Sequence, residues 1–177
     1  MLKIQGIEAY NSDSILPLSD AGKLIAKLKS QNKKIGLCHG GFDLLHAGHV
    51  KHFESSKKIC DILFVSLTSD KFIEMRKGSG RPIYTEKLRA YMAASIEFVD
   101  FVTISDYKTG IEVIKLLKPS YYIKGPDYSN KDDTEINDER DAINSVSGEI
   151  KYTDDPKMTT TGILDYIKKE LGNTNHR

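Results

Sequence analysis

The chain has 177 residues and a net charge of +1, from 26 lysines and arginines against 25 aspartates and glutamates. This length suits one domain with a single core, and the balanced charge excludes a bulk attraction to nucleic acid or to an anionic membrane. Cys38 and Cys60 are too few for a disulfide framework, and no apolar run approaches the ~18 residues of a membrane span. We therefore expect a cytoplasmic protein with no nucleic-acid or membrane partner.

Apolar periodicity divides the chain into alternating elements. Residues 1–33 are predicted to form an extended arm (1–17) and a helix (20–30), residues 34–171 the main domain, and 172–177 a tail. In chain order, the pattern predicts strands at 34–38, 61–67, 98–104, 121–123 and 149–153, and helices at 47–59, 84–97, 110–118, 141–147 and 159–171. The acidic stretch 126–141 is predicted to be a mobile surface loop.

This alternation predicts an α/β fold, with a doubly wound, parallel, five-stranded sheet covered by helices on both faces. In such sheets ligands bind outside the carboxyl ends of the strands, where the strand order reverses. The site is therefore expected in the loops after the first, second, fourth and fifth strands.

The loop after the first predicted strand, residues 39–49, combines three glycines with three histidines. Gly40 and Gly41 allow a sharp turn and a close approach of the backbone to a ligand, and the helix that follows directs free N–H groups at the same loop. His46 and His49 share one helical face and could donate to neighbouring phosphate oxygens. Because the Walker and dinucleotide patterns are both absent, this is an anion site of another kind.

Two other interpretations of these histidines stay open. They could be core residues with internal hydrogen-bond partners, although two histidines in a glycine-rich loop make this less favoured. His46, His49 and His52 also have zinc-like spacing, but no cysteine or carboxylate nearby completes a tetrahedral set. We favour phosphate binding and assign no protein metal ligand.

The segment from Gly40 to His49, GGFDLLHAGH, resembles the signature of the cytidylyltransferase-like nucleotidyltransferases, whose hallmark H-x-G-H is His46-Ala47-Gly48-His49 here. The resemblance runs from about Lys34 to Leu171. Thr68–Asp70, Lys77–Pro82, Lys118-Pro119 and Lys124–Tyr128 are most similar to the adenylyltransferase half of the bifunctional heptose-phosphate kinase/adenylyltransferases. It implies a Rossmann-like fold and, as in many relatives, a homodimer, linked to or working with a sugar kinase.

The resemblance also assigns roles to residues. It implies catalytic roles for His46, His49, Lys77 and Arg89, and binding of the phosphorylated substrate by Arg81 and Asp70. The nucleotide-binding residues that it implies are Gly40, Gly41, Phe42, Asp43, Gly48, Lys124, Gly125, Asp127, Thr159, Thr160 and Thr161.

Several of these residues also have a structural interpretation. Lys77 and Arg81 could lie in a solvated loop, and Arg89 could pair with Glu86 on a helix surface. Asp43 is expected to orient its own loop rather than bind a metal. For the threonines and Asp127 the competing interpretations are simple N-capping and turn formation. The chain departs from the family at Pro126, where a second glycine is usual, and at His39, where a small or polar residue is expected.

The chemistry implied is transfer of a nucleoside monophosphate from ATP or CTP to a sugar phosphate such as a heptose 1-phosphate, with release of pyrophosphate. An ionised phosphate needs no general base, so positioning and charge stabilisation suffice. Mg²⁺ is expected on the triphosphate, with few protein ligands. Two alternatives are kept: a cytidylyltransferase for a polyol or amino-alcohol phosphate, and a nucleotide-binding regulatory module without catalysis.

Overall fold

The computed structural model describes residues 4–129 and 133–171, and these form alternating helices and strands. The strands are β1 (Ile35–Gly40), β2 (Ile62–Thr68), β3 (Phe101–Ser105), β4 (Tyr121–Lys124) and β5 (Glu149–Tyr152). The helices are α1 (Leu18–Ser30), α2 (Ala47–Lys57), α3 (Asp70–Lys77), α4 (Glu86–Ala94), α5 (Gly110–Leu117), α6 (Thr134–Ser145) and α7 (Thr160–Tyr166). Short 3₁₀ turns span Ile7–Ala9 and Pro126–Tyr128, and α7 continues as a π-helical segment, Ile167–Leu171.

Side-chain caps explain where several helices begin. Thr85 accepts a hydrogen bond from the amide of Leu88 at the start of α4, and Thr109 and Asp133 cap α5 and α6 in the same way. Such caps satisfy backbone N–H groups that have no partner within the helix. At the other end of α5, Lys118 takes the left-handed conformation that closes many helices.

All five strands pair in parallel, in the order β3-β2-β1-β4-β5. The near-continuous burial of β1, β2 and β4 explains their apolar runs in the sequence, because helices cover both faces of the sheet. One face packs on α1, α5 and α6, through residues such as Ile25, Ile114 and Ile143. The other face packs on α2 and α4, through Phe53 and Ala90. The predicted doubly wound α/β fold is confirmed.

Four local predictions are corrected. The stretch 126–141, predicted to be a loop, contains a 3₁₀ turn and most of α6, whose Ile136 and Ile143 are buried in the core. Lys77, expected in a loop, is the last residue of α3, a helix that the pattern missed. The segment predicted to be an extended arm contains a 3₁₀ turn at Ile7–Ala9, and its Ile15 forms a bridge with Val102 at the β3 edge. Helix α1 belongs to the main core, and residues 172–177 lie outside the described residues.

None of the described helices is both long enough and apolar enough to cross a membrane.

Candidate active site

The strand order places a cavity where parallel doubly wound folds bind ligands. β1 lies between β2 and β4, so the connections leave β1 in opposite directions and the loops after β1 and β4 face a common crevice. A cavity of about 450 Å³ opens there. It is lined by the end of β1, α2, the end of α3, the turn after β4 and the segment after β5: His39, Gly40, Gly41, Phe42, His46, Gly48, His49, His52, Arg76, Lys77, Ile123, Lys124, Gly125, Pro126, Asp127, Tyr128, Asp155, Pro156, Lys157 and Met158.

The turn after β1 is tightly packed. A Cβ atom on Gly41 would lie 3.3 Å from Cδ1 of Ile73 on α3, so the backbone approaches that helix closely. Phe42 has a φ of 41°, in the left-handed region that non-glycine residues seldom occupy. Its ring meets those of His49 and Phe53. The turn is therefore anchored by an aromatic side chain as it enters the helix.

His46 and His49 stack on each other at the start of α2. Their ring centroids are 3.8 Å apart and the ring planes differ by 21°. His46 is the N-cap residue, and its carbonyl accepts the amides of His49 and Val50. Both ring nitrogens of His46 and Nδ1 of His49 are buried without a hydrogen-bond partner among the described residues. Buried polar atoms without partners are rare in folded proteins, so these nitrogens are available to a ligand.

Gly48 is required by this arrangement. A Cβ atom there would lie 2.9 Å from Cβ of Met158 and 3.1 Å from the ring of His46. Only a residue without a side chain lets the segment after β5 pack against the first turn of α2. The glycine of the H-x-G-H motif thus has a steric explanation.

Both motif histidines are neutral at neutral pH. Burial, reinforced by His46, His52 and Lys77, lowers the pKa of His49 to about 3. Burial also lowers the pKa of His46. A neutral imidazole offers one N–H donor and one acceptor nitrogen. A phosphate near these rings would favour their charged form, so ligand binding and proton uptake are coupled.

Cations reach the cavity from three directions. Arg76 and Lys77 come from the end of α3, Lys124 from the end of β4, and Lys157 from the segment before α7. Burial, followed by the charge of Arg81, lowers the pKa of Lys77. Lys157 pairs with Asp127 at 3.0 Å, which joins two walls of the cavity. These cations exceed the carboxylates among the lining residues, as an anion site requires.

Lys124 belongs to a buried polar cluster. Its ammonium donates to Oε2 of Glu139 at 2.7 Å and lies 4.1 Å from the centroid of the Tyr128 ring. The hydroxyl of Tyr122 donates to the other carboxylate oxygen of Glu139 at 2.8 Å. Gly110 has no room for a Cβ atom, which would lie 2.7 Å from that same oxygen. The cluster fixes Lys124 at the cavity wall.

His39 lies beside this cluster with both ring nitrogens engaged. Nδ1 is 3.1 Å from Oγ of Ser66 and Nε2 is 3.4 Å from Oγ1 of Thr68, both on β2. Burial, followed by the charges of Lys124 and Arg76, lowers the pKa of His39 to about 3. The histidine that departs from the family pattern therefore bridges the ends of β1 and β2 as a neutral side chain.

The structure does not bring Arg89 into the cavity. Its side chain is fully buried and donates to the carbonyls of Tyr84, Gly41 and Thr68 and to the carboxylate of Asp70. The predicted phosphate contact and the alternative surface pairing are both replaced by a structural role. Arg89, which is paired with Asp70, donates to the carbonyl of Gly41 and so stabilises the turn after β1.

Asp43 and Arg81 also lie outside the cavity lining. Asp43 is buried and accepts hydrogen bonds from Nε of Arg81 and from the amide of Ile83. Its carboxylate has a structural role, as expected, but it orients the loop after α3 and not its own loop. Arg81 is engaged with Asp43, so the predicted substrate contact would require this pair to rearrange.

The three threonines that were predicted to bind the nucleotide lie at the start of α7. Thr159 caps α7 by accepting the amide of Gly162 at 3.0 Å, and Thr160 and Thr161 begin the helix. None of them lines the cavity, whereas the preceding residues from Asp155 to Met158 do.

Several cavity residues were missed from the sequence. Arg76 could have been included because it is adjacent to Lys77 in the sequence. His52 could have been included because it lies three residues beyond His49 on the same helix. The segment from Asp155 to Met158 belongs to the loop after the fifth strand, which was expected in the site, but its residues were not singled out because their positions depend on how β5 pairs with β4. Within residues 4–129 and 133–171, no group of three or more histidine, cysteine or acidic side chains could hold a metal ion.

The comparisons with known proteins agree with this geometry. A profile of the cytidylyltransferase-like family matches residues 37–169, and the chain belongs to that family. The match and the curated relatives place it among the nucleotidyltransferase enzymes, as the motif predicted.

The curated relatives include proteins named "Bifunctional protein HldE". The one from Aliarcobacter butzleri is 42% identical over 141 residues, which cover 78% of this chain and 30% of the relative. The one from Helicobacter pylori is 43% identical over 118 residues, or 67% of this chain and 25% of the relative. The chain therefore spans less than a third of the length of these relatives.

Two solved structures share the fold. A lipopolysaccharide core biosynthesis protein from Thermoplasma volcanium has a TM-score of 0.56 at 24% identity, covering 72% of this chain and 99% of that one. Pantoate-beta-alanine ligase from Francisella tularensis has a TM-score of 0.58 at 16% identity, covering 91% of this chain and 80% of that one. At such identities the likeness shows the fold alone.

Proposed function

We propose that this enzyme transfers the nucleoside monophosphate of ATP or CTP to a sugar phosphate such as a heptose 1-phosphate and releases pyrophosphate. The resemblance to the bifunctional heptose-phosphate kinase/adenylyltransferases supports the sugar phosphate. The curated relatives, named as bifunctional HldE proteins, are consistent with it. We also propose that it works with, or is linked to, a sugar kinase that supplies this acceptor, and that it acts as a homodimer in the cytoplasm.

The observation that carries the proposal is the pair of stacked, neutral histidines at the start of α2. Their buried nitrogens have no partner among the described residues, and they adjoin a helix N-terminus, where backbone N–H groups favour anions. His46 and His49 would donate to the triphosphate. Arg76 and Lys77 would neutralise it and the departing pyrophosphate.

The reaction needs little from the protein beyond position and charge. An ionised acceptor phosphate attacks the α-phosphorus in line, one P–O bond forms, and the bond to pyrophosphate breaks. Proton transfer to the acceptor is unnecessary, so no general base is required. Lys124, held by Glu139 at 2.7 Å, would stabilise charge that develops on the phosphoryl oxygens. Gly125 and Asp127 would contact the nucleotide or acceptor.

Mg²⁺ fits this donor set only when the triphosphate supplies most of its ligands. Asp127 and Asp155 are the cavity-lining carboxylates of the described chain, and no cluster there could hold the ion alone. Mg²⁺ commonly takes one or two carboxylates together with substrate phosphates. Asp127 would provide such a carboxylate, and the ion would neutralise charge on the phosphates.

Pyrophosphate release tests the proposal. Each of ATP, CTP, GTP and UTP would be combined with a panel of sugar, polyol and amino-alcohol phosphates in the presence of Mg²⁺. Release that requires one triphosphate and a sugar phosphate would support it. Release with polyol or amino-alcohol phosphates alone would favour the cytidylyltransferase alternative. Triphosphate binding without release over the whole panel would favour a regulatory module.

A matched pair of variants tests the role of the histidines. His49→Ala should abolish turnover while the fold remains intact, and Val50→Ala, exposed on the same helix, should retain it. A folded His49→Ala protein with nearly wild-type turnover would contradict the mechanism.

A further inference from the structure

Asp155 is a cavity-lining carboxylate that the proposed reaction does not use. It lies between β5 and α7, and its Oδ1 accepts a hydrogen bond from Oγ of Ser55 on α2 at 2.7 Å. Its Oδ2 is buried and has no hydrogen-bond partner within the described chain. Asp127, the other carboxylate on the described cavity wall, is paired with Lys157. Asp155 is therefore the carboxylate that still needs a donor.

A carboxylate at this position restricts what can lie beside it. Phosphate oxygens are repelled by a negative charge, so the phosphates belong with Arg76, Lys77 and the motif histidines. A buried acceptor without a partner is unfavourable, and a ligand that brings an N–H or O–H group to Oδ2 removes that cost. Asp155 thus favours a ligand that carries a hydrogen-bond donor at this point.

The surroundings of Asp155 favour a base over a ribose hydroxyl. Pro156 and Met158 follow it along the cavity wall, and Met158 packs directly against Gly48 at the start of α2. A flat aromatic ring is well matched to such apolar side chains and to bare backbone. The donors that a base offers at its edge are ring N–H groups and exocyclic amines.

We propose that Asp155 determines base specificity by accepting a hydrogen bond from the exocyclic amine of adenine or cytosine through Oδ2. This inference rests on the proposed function. Ser55 acts as a positioning residue, because its hydroxyl fixes the other oxygen of the carboxylate. A base with a carbonyl in place of the amine presents oxygen to oxygen at this point, so it is rejected.

Binding of triphosphates without an acceptor tests the inference separately from turnover. Isothermal titration with Mg²⁺ would compare ATP with inosine triphosphate, and CTP with UTP, because the second member of each pair carries a carbonyl, with a ring N–H beside it, where the first carries the amine. In the pair that binds more tightly, the wild type should prefer the amine by about tenfold to a hundredfold. Asp155→Asn should lose most of this preference, since an amide can also donate to a carbonyl.

Asp154→Asn is the matched control, because it removes the same charge from the adjacent, exposed residue and should keep the wild-type preference. Ser55→Ala leaves the carboxylate in place and should lose part of it, which provides a second test if Asp155→Asn melts early. An unchanged preference in both variants would overturn the inference. Equal weakening of both members of a pair would also overturn it, because that indicates a metal-binding or structural role.

The two proposals fail in different ways. Absence of pyrophosphate release with every acceptor, alongside an amine preference that depends on Asp155, would remove the proposed reaction and leave the base contact. Release of pyrophosphate with a sugar phosphate, alongside an amine preference that Asp155→Asn does not change, would support the proposed reaction and remove the base contact.

Discussion

The buried ion pair between Lys124 and Glu139 should be a main determinant of both stability and site geometry. The two groups are 2.7 Å apart, with side-chain exposures of 9% and 3%. Glu139→Ala removes the carboxylate and leaves the Lys124 ammonium buried beside two tyrosine rings. The rings attract a cation only weakly, so they do not replace the lost charge.

The expected magnitude follows from burial. Removing one partner of a buried, hydrogen-bonded pair costs about 3–5 kcal/mol, because the remaining charge has no solvent to stabilise it. Glu139 also accepts the hydroxyl of Tyr122, which loses its partner in the same variant and adds to the cost. For a chain of this length, a loss of that size lowers Tm by about 6–20 °C.

Urea unfolding followed by circular dichroism at pH 7 would measure the change. Glu149→Ala is the matched control, because Glu149 pairs with Lys151 on the exposed surface and surface pairs contribute little. Replacing both partners, as Lys124→Met with Glu139→Leu, should recover much of the loss, since no unpaired charge remains. A Glu139→Ala variant as stable as the Glu149→Ala control would refute the reasoning.

Three further predictions concern other residues of the site. Arg89→Lys should lower the free energy of unfolding by about 3–5 kcal/mol, because one ammonium cannot replace a planar fork with four acceptors; a loss near zero in urea unfolding would contradict this. Gly48→Ala should weaken triphosphate binding by about tenfold or more, since the new methyl group would displace the segment after β5; titration calorimetry measures this, and wild-type affinity would argue against it. Finally, stability should fall on acidification below pH 6.5, because the folded state lowers the pKa of His39 and His49 to about 3 and that of His52 to about 4, so the unfolded chain binds more protons. In that window each histidine makes the free energy of unfolding depend on pH with a slope of up to about 1.4 kcal/mol per pH unit. His39→Gln should remove the contribution of one histidine from this slope. Urea midpoints at pH 7 and pH 5 that coincide in the wild type would count against the burial argument.

The sequence was sufficient for the sheet because its strands are buried on both faces. Runs such as Ile62–Thr68 are almost wholly apolar, and the alternation with helices leaves few topologies. The acidic stretch before β5 misled the prediction, since α6 presents most of its polar residues to solvent and buries only a narrow stripe that includes Ile136, Ile143 and the ion-paired Glu139. Helix α3 was missed because Asp70–Lys77 contains a single buried residue, Ile73.

Site residues were predictable where the backbone motif alone positions them. His46 and His49 lie in the cavity because a strand, a turn and a helix follow one another in sequence. Arg89 could not be placed in this way, because a helical arginine reaches phosphate or carbonyl oxygen depending on which loop packs above it. The loop that contains Asp155 and Met158 was expected in the site, but these two residues could not be singled out within it, since long-range strand pairing brings them to α2.

The fully buried guanidinium of Arg89 behaves as a permanent structural cation. It gathers three carbonyl oxygens and one carboxylate oxygen from three separate segments of the chain, as a bound calcium ion does in other proteins. A charge that is part of the chain cannot be removed by a chelator or exchanged for another ion. The shape of the turn after β1 should therefore persist when free divalent ions are withdrawn.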